Sequence, residues 1–84
     1  MPKDQEIALL REELELLMGE RQALLRVAGA SAVLVANMDS KRLPVGAIES
    51  ADLVATTIND LSEETLQDAL AAVNAEIEED SAAA

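Results

Sequence analysis

Residues 7 to 25 read IALLREELELLMGERQALL, and this stretch decides the fold. Ile7, Leu10, Leu14 and Leu17 recur in a 3-4-3 rhythm with charged residues between them, the spacing that lines up one face of an amphipathic helix. The register then steps through Met18 to Leu25, Ala28, Ala32 and Val35. Such a step resembles a stutter, which locally unwinds a coiled coil without ending it. The pattern predicts one long, coiled-coil-like helix over about 4–36. Asp4 is its expected N-cap, and Glu6 suits the positive end of the helix dipole. Gly19 and Gly29 oppose this reading, since each costs about 1 kcal/mol relative to alanine inside a helix. Val33-Leu34-Val35 also reads as a short strand, but no second β-rich run exists to pair with it, and a lone strand leaves its backbone groups unsatisfied. The small residues Ala28-Gly29-Ala30-Ser31-Ala32 mark a place where another helix backbone can approach closely.

Working outward, Asn37 to Leu43 is a polar connector (37–44 with its proline), and Pro44 fits the first turn of a new helix. Ile48, Ala51, Ala55 and Ile58 share a face and predict that helix over 45–59. Ser62 reads as the next N-cap, followed by Glu63 and Glu64, while Leu61 and Leu66 have the spacing of a hydrophobic staple. Leu66, Leu70, Val73 and Ile77 then carry a third helix over about 63–79, leaving 81–84 as a disordered tail. Laid end to end, the two shorter helices match the roughly 50 Å of the first. The expected architecture is therefore a single all-α domain over 1–80, a long helix packed by two shorter ones. Leu9 and Leu16 lie off the main stripe and widen its apolar arc beyond what one short helix covers. The expectation is a homo-oligomeric bundle, most simply a homodimer, with Ile7, Leu10, Leu14, Leu17 and Leu25 at the interface. Arg21 falls within that seam, where it either sets register through a partner carboxylate or snorkels out to water at little cost.

The 84 residues include no His, Cys, Phe, Tyr or Trp. That removes the usual nucleophiles, metal ligands, proton shuttles and base-stacking groups. No phosphate loop or nucleotide-binding glycine pattern is present, so the sequence predicts no enzyme and no cofactor. A chain this short buries only about 60% of its unfolded surface, and sixteen of its apolar residues are alanine. Small scaffolds without disulfide or metal gain stability from helix packing or self-association. The longest charge-free run, Val27 to Met38, falls short of the roughly 17–25 residues a membrane-spanning helix needs, and the amino terminus lacks a signal-peptide pattern. The expected setting is cytoplasmic.

The formal charge of −11 argues against direct binding to nucleic acid or anionic membrane. From Leu43 onward there are ten carboxylates and no Lys, Arg or His. Glu64 with Asp68, and Glu76 with Asp80, repel at i,i+4 by roughly 0.2–0.5 kcal/mol per pair. Helix stability does not ask for this arrangement. Glu64, Asp68, Glu76, Glu79 and Asp80 are therefore the candidate surface for a basic protein, against the plainer reading of a solubilising face. Two functions follow as expectations. The first is an oligomeric protein–protein interaction module: a regulator, adaptor or assembly factor. The alternative is an acidic inhibitor that occupies the nucleic-acid groove of a basic protein as a charge mimic, in the manner of a phage anti-defence or antitoxin-like protein.

Overall fold

The computed structural model describes residues 2–83 of the backbone and the side chains through Asn74. Three α-helices follow in order: α1 (Lys3–Asn37), α2 (Val45–Asn59) and α3 (Glu63–Ala83), with one turn of 3₁₀ helix at Ser40–Arg42 between the first two. No strand occurs among the described residues. Val33-Leu34-Val35 lies inside α1, and the Asn37 side-chain amide donates back to the Val33 carbonyl at 2.9 Å near the helix end. At 35 residues, α1 is about 52 Å long.

The helix ends explain themselves locally. Pro2, at φ −58°, occupies the cap position of α1, and its carbonyl accepts from the Gln5 and Glu6 amides at 3.1 Å each. Asp4 is thus not the N-cap; it sits inside the first turn with Glu6, where the dipole still favours a negative charge. Proline wins the cap because its fixed φ enters a helix without strain and it has no donor to orphan. In the connector, the Asp39 carboxylate accepts from the Lys41 amide at 3.0 Å and pairs with Arg42 Nε at 3.5 Å. Pro44 ends the connector and α2 starts at Val45. Ser62 caps α3 as expected, its hydroxyl accepting from the Thr65 amide at 3.1 Å. That helix does not end near Glu79, however, and 81–83 are helical rather than a tail. Ala82 and Ala83 are the best helix formers available, and no Gly or Pro stands between Ser62 and the chain end to stop the helix.

Packing concentrates on one half of α1. Helix α2 runs back along it: Ala47 and Ala51 lie beside Leu34 and Met38, while Ile58 and Leu61 lie beside Leu24 and Val27. Helix α3 crosses at Gly29, where an added Cβ would overlap the Ala69 carbonyl and stand 3.1 Å from Val73 Cγ2. The small-residue run is the close crossing that its composition implies. Leu25, Ala69 and Val73 are the buried apolar side chains there, and no polar side chain is buried among the described residues.

The end-to-end arrangement of α2 and α3 along all of α1 does not occur. Both pack on its carboxyl-terminal half, and every residue from Pro2 to Leu24 is exposed. Two local causes account for this. The break at Asp60–Ser62 reverses the chain instead of extending it, and only the Ala28-Gly29-Ala30 segment lets a second backbone come close enough to exclude water. The bulky leucines of 9–17 offer no such approach. Residues 3–20 of α1 therefore project from a small bundle as an arm.

Candidate functional site

The arm carries a run of exposed large apolar side chains. Ile7 is 53% exposed, Leu10 64%, Leu14 57% and Leu17 67%, although a helix stripe of this kind exists to be covered. These four expected interface residues come together on one face, as the sequence spacing requires. The fifth, Leu25, is only 6% exposed. It is part of the core within the chain and is not available to a partner, because the crossing of α3 at Gly29 covers it.

A second apolar line runs along α1 on another face from the stripe. Leu9 and Leu16 begin it on the arm, and Val27 and Leu34 continue it beside α2; all four are exposed. Val27 and Leu34 were not singled out from the sequence. The signal was present, since each lies eighteen residues beyond Leu9 or Leu16, five turns of helix.

Of the expected acidic surface, Glu64 and Asp68 are exposed on α3. The side chains of Glu76, Glu79 and Asp80 lie outside the described residues. Asp68 is engaged within the chain: its carboxylate accepts from the Arg21 guanidinium at 3.4 Å. Both partners are about half exposed, so the pair is worth at most about 1 kcal/mol. Its effect is geometric. Arg21, expected to reach for a carboxylate of another copy, is drawn instead toward its own α3.

The concavity shared by all three helices is apolar. A groove of about 370 Å³ lies where the three helices meet, lined by Val33, Val35, Ile58, Leu66 and Leu70 among others, with Asn59 as its one polar side chain. It lacks the convergent polar groups that orient a small ligand. Among the described residues no three Asp or Glu side chains gather where a metal ion could sit, and no helix is long and apolar enough to cross a membrane.

No protein-family model, characterised protein or solved structure matches this chain.

Proposed function

We propose that this is a small cytoplasmic protein acting through protein–protein contact, as a regulator, adaptor or assembly factor, and that the α1 arm is where it meets a second copy of itself. One observation carries the reading: Ile7, Leu10, Leu14 and Leu17 form a continuous stripe with each residue more than half exposed. Covering a leucine of this kind contributes on the order of 1 kcal/mol or more. A domain whose only buried apolar side chains among those described are Leu25, Ala69 and Val73 has little stability to spare. The basic-partner reading gains no such support, since Asp68 is already paired with Arg21.

Sedimentation equilibrium tests the proposal. The wild-type chain should show the mass of a dimer at about 100 µM, the range expected for association with micromolar affinity. A chain that stays monomeric at that concentration contradicts it.

A further inference from the structure

The exposed stripe of the arm and the covered face of the bundle are the same face of one helix. Ile7 and Leu25 are eighteen residues apart, as are Leu10 and Ala28, Leu14 and Ala32, and Leu17 and Val35. Eighteen residues make five turns of 3.6, so each pair points the same way from the axis. Leu25 is buried, and Ala28, Ala32 and Val35 are half-buried. Whatever covers the arm must therefore lie where α2 and α3 lie further along, and must stop where they begin.

We infer that two copies pair arm to arm in antiparallel orientation, an inference that rests on the self-association proposed above. In that orientation Ile7 meets Leu17 of the second copy and Leu10 meets its Leu14, so all four stripe residues of each chain are used. With this register the second copy's Lys3 reaches the level of Arg21, just short of Leu25, the first buried position of α1. The arm is the length that the free face accommodates. The second bundle then lies on the far side of the first chain's Lys3, and the stripe of each arm is covered.

A parallel pair has an electrostatic advantage. Glu6, Glu13 and Glu20 flank one side of the stripe and Arg11 the other. Parallel helices place Glu6 against Arg11 of the other chain, whereas antiparallel helices in this register place Glu13 against Glu13, Glu6 against Glu20 and Arg11 against Arg11. Exposed pairs of this kind are worth about 0.5 kcal/mol each, a few kcal/mol together. Against that, a parallel partner's α1 continues past Arg21 straight into the volume held by α2 and α3. Opening that packing forfeits the whole core, so exclusion of volume outweighs the charges.

Spin labels decide the orientation, and the absence of native cysteine makes single-site labelling clean. Gln5→Cys and Glu12→Cys place labels on exposed positions on the outer side of the arm. In the antiparallel pair the two labels at 12 lie level, while those at 5 are displaced by roughly 20 Å along the seam. The separation measured by pulsed electron resonance should then be roughly 10 Å longer at 5 than at 12. Equal separations at the two sites in a chain that sediments as a dimer would overturn the antiparallel inference and leave self-association standing. A labelled and an unlabelled chain that both sediment as monomers would overturn the two together.

Discussion

Gly29→Ala should lower the stability of the protein, while the same substitution at Gly19 should raise it. Both glycines lie inside α1, and replacing either by alanine gains up to about 1 kcal/mol of intrinsic helix stability. Around Gly19 nothing lies within 4 Å of the added Cβ, so the full gain is expected there. At Gly29 the new methyl would overlap the Ala69 carbonyl, which is backbone and cannot rotate away. Helix α3 must shift, separating Ala69 and Val73 from Leu25. Overpacking of this kind costs about 1–3 kcal/mol, and the helix gain offsets only part of it. For a domain of this size 1 kcal/mol moves the melting temperature by about 4–8 °C. Thermal unfolding followed by circular dichroism should place the Gly29→Ala midpoint below wild type and the Gly19→Ala midpoint at or above it. Equal shifts of one sign would show that α3 does not cross α1 at Gly29.

Leu14→Glu should convert the protein to a monomer, whereas Leu16→Glu should not. Leu14 stands in the stripe, and the antiparallel pair sets it against Leu10 of the second copy. A glutamate there would bury an unpaired charge, twice per dimer by symmetry, at a cost of several kcal/mol per pair of sites. Each 1.4 kcal/mol weakens the dimer about tenfold, so the loss should exceed a hundredfold in dissociation constant. Leu16 lies about 160° around the helix from Leu14 at 100° per residue, and it is 73% exposed. Sedimentation equilibrium on both variants separates the stripe from the back of the helix. Since every residue from Pro2 to Leu24 is exposed in the single chain, neither substitution should disturb the bundle's own fold. A dimer unaffected by Leu14→Glu but lost with Leu16→Glu would move the interface to the Leu9 and Leu16 side of the arm.

Local signals in this chain translated well into structure. Pro44 before α2, Ser62 before α3 and the apolar period within each helix act over a few residues, and the observed helices agree with them closely. The glycine within the small-residue run likewise marked the crossing point, because a missing side chain is visible in sequence. What the sequence did not carry was where α2 and α3 would sit along α1. Matching lengths suggested that they would share its whole face, but length says nothing about which backbone can be approached, and the crossing at Gly29 drew both to one end. The same cause placed Leu25 inside the core although it shares a face with Ile7. Arg21 and Asp68 are separated by 47 positions, and no periodicity connects them. Their pairing follows only from the crossing.

Amide hydrogen exchange at two protein concentrations tests, residue by residue, whether the face of the arm is covered in solution by another copy. An arm of this length, tethered at one end and carrying Gly19, is only marginally helical by itself. Association should slow the exchange of its amides. On going from about 5 µM to about 200 µM, amides of residues 7–18 should become more protected as micromolar association fills, while those around Leu25 and Gly29, held by α3 within the chain, should not change. Arm amides that exchange at one rate at both concentrations would show that no second copy covers the arm.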